Sequence, residues 1–181
     1  MPVVIISGGP GAGKTTLLQG LAQHGYHTYP EVPRQLIEQQ SVMADGILPW
    51  HDLAGFAALC YQAMHEQQQS AQQQALLTSQ PVFVDRAIGD ICAYLWQAEL
   101  PVLAEYRQAS LGYHRQVLMC EPNRITYQAD EVRPYSFEQA LHIHHQLVNT
   151  YTELGYHCIT VPMASIEQRV AFALASLVVT G

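Results

Sequence analysis

The stretch Gly8-Gly9-Pro10-Gly11-Ala12-Gly13-Lys14-Thr15 constrains this chain more than any other feature, and Lys14 is its only lysine. The glycines let the backbone curl until several N–H groups converge on one small volume, a geometry that binds phosphate. A helix opening at about Gly13 adds the positive end of its dipole. The spacing G-x-x-x-x-G-K-[ST] also supplies a mobile charge, Lys14, and a hydroxyl, Thr15, suited to Mg2+. Context supports the match. Val3-Val4-Ile5-Ile6 before the loop is β-branched and apolar, as in a strand buried on both sheet faces. Leu17, Leu18 and Leu21 after it take helical spacing.

A length of 181 residues predicts one domain over 1–181, and 49% hydrophobic content allows a substantial core. The net charge of −7 argues against nonspecific nucleic-acid binding. No apolar run reaches the ~18 residues of a membrane span. The first residues enter a strand without a basic leader, and Cys60, Cys92, Cys120 and Cys158 are widely spaced singles. The expected location is therefore the reducing cytoplasm, with the thiols buried.

Strands alternate with helices along the chain. Strands are expected at about Val3 to Ser7, Tyr26 to Tyr29, Val82 to Asp85, Gln116 to Cys120 and His157 to Val161. Helices are expected at about Lys14 to His24, Glu31 to Gln40, His51 to Ser79, Ile88 to Gln97, Val102 to Ser110, Phe137 to Leu154 and Ile166 to Val179. This order predicts a three-layer α/β fold around a parallel sheet. Seven of the residues from Gln62 to Gln74 are glutamine. They read as the solvated part of the long helix, because glutamine is a good helix former.

Other candidate site residues follow from strand ends, where ligands bind in parallel sheets. Asp85 closes the third strand, opposite Thr15, and is the natural second partner of Mg2+. Its neighbour is Arg86, a phosphate or substrate ligand, where ring and motor ATPases usually carry a water-activating glutamate. Glu31 follows the second strand and could take a proton from a substrate hydroxyl, while Arg34 holds an anionic group. Arg124 and Arg133 lie in a polar segment, 121–136, that reads as a lid over transferring phosphoryl groups. Four of the seven arginines, Arg34, Arg86, Arg124 and Arg133, thus fall in segments expected to face one crevice. His142 and His145 share a helix face, but no second cluster supports a metal site there. Asp45, Trp50 and Asp52 flank a loop placed to cover a substrate pocket. With one lysine, the chain cannot contain the Asn-Lys-x-Asp guanine motif.

Gly8 to Thr16, Pro30-Glu31-Val32-Pro33-Arg34, Leu48-Pro49-Trp50, Asp85-Arg86 and residues 127–133 together resemble the AAA-type ATPase family related to the ribosylnicotinamide kinase domain. The resemblance extends through Glu153-Leu154-Gly155-Tyr156 and Val161-Pro162. It implies a P-loop fold of the nucleoside and nucleotide kinase kind, with five parallel strands in the order 2-3-1-4-5. It also implies a nucleotide-binding loop made by Gly8, Gly9, Pro10, Gly11, Ala12, Gly13, Lys14, Thr15 and Thr16. Glu31 takes the general-base position, Arg86 the substrate-orienting position, and Arg124 and Arg133 the lid positions. The turn from Pro162 to Ser165 packs the nucleotide base.

The expected activity is transfer of the ATP γ-phosphoryl, with Mg2+, to a hydroxyl of a small nucleoside-like acceptor. GTP in place of ATP is left open, as is a protein partner. The rival readings are a nucleotide-dependent switch or slow ATPase/GTPase acting on a partner, and a non-enzymatic binding module.

Overall fold

The computed structural model describes residues 2–127 and 135–178. Its elements run β1 (Val3–Gly8), α1 (Lys14–Gln23), β2 (Thr28–Tyr29), α2 (Val32–Gln40), α3 (Leu53–Thr78), β3 (Val82–Asp85), α4 (Ile88–Gln97), α5 (Ala104–Ser110), β4 (Gln116–Cys120), α6 (Phe137–Glu153), β5 (His157–Val161) and α7 (Ile166–Val178). The five strands form one sheet in the order β2-β3-β1-β4-β5, as expected, and every pairing is parallel.

The two faces of the sheet are sorted by strand periodicity. Val3, Ile5, Val82, Val84, Val117 and Met119 join a core with α2 to α6, including Phe56, Met64, Ile91, Tyr106 and Leu147. Val4, Ile6, Phe83, Leu118 and Cys120 face the other way, onto Leu17 and Leu21 of α1 and Val170 and Ala173 of α7. Because both faces are covered, the central strands read as continuous apolar runs rather than alternating ones.

Element boundaries moved where local hydrogen bonding overrode pattern. The second strand was expected from Tyr26 but holds only Thr28 and Tyr29, paired with Phe83 and Val84. Tyr26 instead closes α1. Its N–H donates to the Leu21 carbonyl at 3.2 Å across Gly25, whose φ of 86° supplies the left-handed turn. Asp52 caps α3 by accepting from the Gly55 N–H at 2.8 Å, so that helix begins at Leu53.

The glutamine-rich part of α3 is not simply solvated. Gln68 is buried, and its side-chain amide donates to the Ala109 carbonyl at 3.0 Å. Gln67 donates to the Pro30 carbonyl and Gln72 to the Gly112 carbonyl. These amides satisfy two loop carbonyls and one in the last turn of α5, while Ala71 and Ala75 of the same helix are fully buried.

Parallel order places the C-terminal ends of β1 and β3 side by side, with Ile6 opposite Asp85. The phosphate loop and the Asp85-Arg86 pair therefore emerge at one edge of the sheet.

Candidate active site

The loop after β1 is held tightly from behind. A Cβ at Gly8, whose φ is 133°, would sit 1.9 Å from the Cys120 carbonyl oxygen, so only glycine fits against β4. Gly13 caps α1 in the left-handed conformation, at φ 70°. Lys14 is buried and folds back, its Nζ donating to the Gly8 carbonyl at 3.2 Å and the Gly9 carbonyl at 3.0 Å. Two of three ammonium protons are thus used, which leaves one for a ligand oxygen. Burial, followed by the nearby Arg86 charge, pulls its pKa below the usual lysine value. Thr15 and Thr16 are exposed at the mouth of the loop.

Arg169, on α7, supports the loop from a distance of 156 positions in sequence. Its Nη1 donates to the Gly13 carbonyl and its Nη2 to the Ala12 carbonyl, both at 3.3 Å, and Nη2 also lies 3.2 Å from Cys120 Sγ. In a planar trans peptide the carbonyl and the following N–H point in opposite directions. Tethering the Ala12 and Gly13 carbonyls therefore aims the Gly13 and Lys14 N–H groups away from Arg169, toward the phosphate cradle. The sequence reading missed Arg169, and no local signal could have found it.

Asp85 and Arg86 form the second part of the site. Asp85 is 2% exposed, and its Oδ1 makes no hydrogen bond among the described residues. Burial pushes its carboxyl up to about 6, against the opposing pull of Lys14. Arg86 has φ 67°, a left-handed conformation that costs a side-chain-bearing residue about 1–2 kcal/mol. Its N–H donates to the Ile6 carbonyl at 2.9 Å, which fixes the turn. The guanidinium is 1% exposed. Nε donates to Glu31 Oε1 at 3.1 Å and Nη1 to Asp90 Oδ1 at 2.8 Å. The two carboxylates hold the guanidinium charged, against burial that opposes it, and its pKa lies well above the ordinary value.

Asp90 is the hub of this cluster. Oδ1 also accepts from Ser7 Oγ at 2.8 Å, and Oδ2 accepts from the Ala87 N–H at 3.1 Å and Tyr151 Oη at 2.6 Å. One carboxylate thereby joins β1, the start of α4 and α6. The sequence reading missed Asp90, although its i,i+4 spacing from Arg86 is a visible signal.

Beside the cluster lies a cavity of about 250 Å³, whose wall includes Arg86, Asp90, Ile37, Phe56, Met64 and Trp50. Tyr94 and Tyr135 add further rings. Trp50, from residues 41–52, is 56% exposed and lines this cavity, while Asp52 is the α3 cap. A second cavity, of about 350 Å³, opens on the other side of the loop and is lined by Gly11 to Gly13, Thr16, Glu121, Asn123, Met163 and Arg169. Met163 lies in the turn after β5.

Other expected site residues stand apart. Arg34 is half-exposed and pairs with Glu38 one turn along α2, at 3.4 Å, and it does not line the apolar cavity. Arg124 is 72% exposed, bonded to Glu138 at 2.9 Å and stacked 4.5 Å from the Phe137 ring centre. It is held outward, against the start of α6, rather than over the loop. Arg133 lies outside the described residues, with the rest of 128–134 of the expected lid. Tyr127 and Tyr135 flank that segment, and Tyr127 Oη donates to the Tyr135 carbonyl at 2.7 Å. His142 and His145 are exposed, and among the described residues no three side chains are grouped to hold a metal. No helix among them is long and apolar enough to cross a membrane.

Comparison with known proteins agrees with this geometry. No curated protein sequence matches significantly. Among solved structures, 138 chains match. One is a thymidylate kinase from Ehrlichia chaffeensis, with a TM-score of 0.59 over 98% of this chain and all of that one, at 16% identity. That likeness establishes the fold. The finer resemblance to a ribosylnicotinamide kinase is not carried by either comparison. The sequence model of a family described as "AAA domain" matches residues 3–169. With its complete phosphate loop, the chain belongs to this AAA-domain family of P-loop proteins.

Proposed function

We propose that this protein is a small-molecule kinase that transfers the γ-phosphoryl of ATP to a hydroxyl of a nucleoside-like acceptor. The observation that carries the reading is continuity: Lys14, Asp85 and the Glu31–Arg86–Asp90 cluster lead from the phosphate loop directly into an apolar cavity. An enzyme that only hydrolyses nucleotide has no need of a second, ring-lined compartment on the γ-phosphate side. The thymidylate kinase of the same fold also acts by phosphoryl transfer.

Roles follow from position. The loop N–H groups and Lys14 bind the triphosphate and spread its developing charge. The second cavity, with Met163 and Asn123, takes the nucleoside half of ATP. Glu31 stands at the α2 N-terminus and takes the acceptor proton. Arg86, fixed by two carboxylates, orients the acceptor hydroxyl.

The exposed Thr15 hydroxyl and the unbonded, buried Asp85 Oδ1 suit Mg2+, and these two residues would hold it. The ion would supply charge neutralisation between the outer phosphates. At neutral pH an ionised Asp85 is a hard oxygen ligand that the protein itself leaves unsatisfied.

The test is transfer of labelled phosphate from [γ-32P]ATP to a panel of hydroxyl compounds. Label on an acceptor supports the reading, and release of free phosphate alone across a broad panel overturns it.

A further inference from the structure

The cavity beside Arg86 carries information about the acceptor itself. We propose that the acceptor is a small, flat hydroxyl compound that bears no phosphate or carboxylate of its own. This rests on the kinase reading above and deepens it.

Charge is the first argument. Among the described residues, Arg86 and Asp90 are the charged ones lining the cavity. The Arg86 charge is already matched by Asp90 at 2.8 Å and Glu31 at 3.1 Å. One guanidinium facing two carboxylates leaves a floor that is net negative. Arg34 pairs with Glu38 and Arg124 with Glu138, and Lys14, which serves the phosphate loop, does not line this cavity. A phosphomonoester carries about −1.5 to −2 charges at neutral pH. Among the described residues it meets no unmatched cation here, and desolvating it in an apolar pocket is unfavourable.

Shape and hydrogen bonding are the second. About 250 Å³ is at the small end for a ligand cavity. Phe56, Tyr94, Trp50 and Tyr135 supply ring faces, and Ile37 and Met64 supply aliphatic walls. Rings accept a flat apolar body by stacking and edge contacts. Arg86 Nη2 is buried and has no partner among the described residues, while Nε and Nη1 are occupied. A buried guanidinium nitrogen left unbonded is costly, and a ligand hydroxyl or carbonyl oxygen satisfies it without adding charge.

Two measurements on the full chain test this. In the first, nucleosides and their 5′-monophosphates compete as acceptors for label from [γ-32P]ATP. The proposal expects at least 100-fold higher kcat/KM for the unphosphorylated member of each productive pair. Monophosphates labelled equally or better overturn it while leaving the kinase reading intact. Free phosphate alone overturns both. In the second, binding of the same compounds is followed by Trp50 fluorescence, with Trp50→Phe as the control. Glu31→Gln removes one of the two carboxylates matched to Arg86. Monophosphate binding should tighten at least 10-fold relative to nucleoside binding in that variant. A wild-type protein that binds monophosphates as tightly as nucleosides, or a Glu31→Gln variant that shifts both classes alike, refutes the proposal.

Discussion

Replacing Asp85 by asparagine should inactivate this protein, and its stability relative to wild type should rise with pH. The carboxyl titrates at 3.8 when unfolded and at about 6 in the folded chain, because burial disfavours the charged form. Between those values the unfolded chain has released its proton and the folded one has not. Raising the pH through this window therefore favours unfolding. By linkage the cost is about 1 kcal/mol at pH 4.5 and about 3 kcal/mol at pH 8. An asparagine carries no such cost. Its amide adds a buried donor that lacks a partner, worth about 1–3 kcal/mol against the variant, but that penalty is the same at both pH values and cancels in the comparison. Urea unfolding of both proteins at pH 4.5 and pH 8, without nucleotide or Mg2+, measures the difference. The stability of Asp85→Asn relative to wild type should rise by about 2 kcal/mol between the two. A constant difference, or one that falls with pH, would show that Lys14 already compensates the ionised carboxylate and that the site stores no such cost. Excess MgATP should then stabilise the wild type more than the variant, since a ligand that uses the carboxylate favours the folded state.

Three further substitutions separate the parts of the site. Lys14→Ala should abolish nucleotide binding by calorimetry, because the loop loses its mobile charge. Glu31→Gln should retain ATP binding and lose about 10²- to 10⁴-fold in transfer rate, the usual range for general-base removal. Undiminished transfer would put the base elsewhere, with Asp85 next in position. Arg169→Met should lower stability by about 1–3 kcal/mol, since it strands the Ala12 carbonyl, whereas the Gly13 carbonyl keeps the Leu17 N–H at 3.2 Å. ATP affinity should fall about 10-fold, or 1.4 kcal/mol, with Arg169→Lys intermediate. Unchanged affinity in the methionine variant would reduce Arg169 to a packing residue.

Local features were the legible ones. Val82 to Asp85 and Gln116 to Cys120 are strands at their expected boundaries because each is a short apolar run bounded by turn residues. The loop and Asp85 could be placed because a parallel sheet puts strand ends at one edge. What was not legible was which distant side chains bond to one another. Glu31 and Arg86 were both assigned to the crevice, yet a bond across 55 positions depends on how α2 packs over β3. Arg124 sits on the expected segment, but Phe137 and Glu138 lie behind it and hold it outward. The glutamines of α3 read as the solvated part of a helix from their helix propensity. An amide that both donates and accepts can be buried once a helix-end carbonyl faces it, as the Ala109 carbonyl of α5 faces Gln68.

The pairing around Arg86 also changes what that residue can do. A cation that follows a migrating phosphoryl group must be able to leave its resting partners. Arg86 cannot do so cheaply. It is 1% exposed, it bonds two carboxylates, and one of them, Asp90, is itself fixed by Ser7, Ala87 and Tyr151. Breaking a buried pair of this kind costs about 3–5 kcal/mol, more than a single phosphate contact returns. Lys14 differs: its carbonyl partners are neutral, its stem is flexible, and one proton is uncommitted. The moving charge therefore belongs to Lys14 and the loop N–H groups, and Arg86 is a fixed fence between the phosphate loop and the apolar cavity. A fence of matched charge admits a neutral acceptor and resists an anionic one, so the same bonds that hold Arg86 in place set which molecules approach the γ-phosphate.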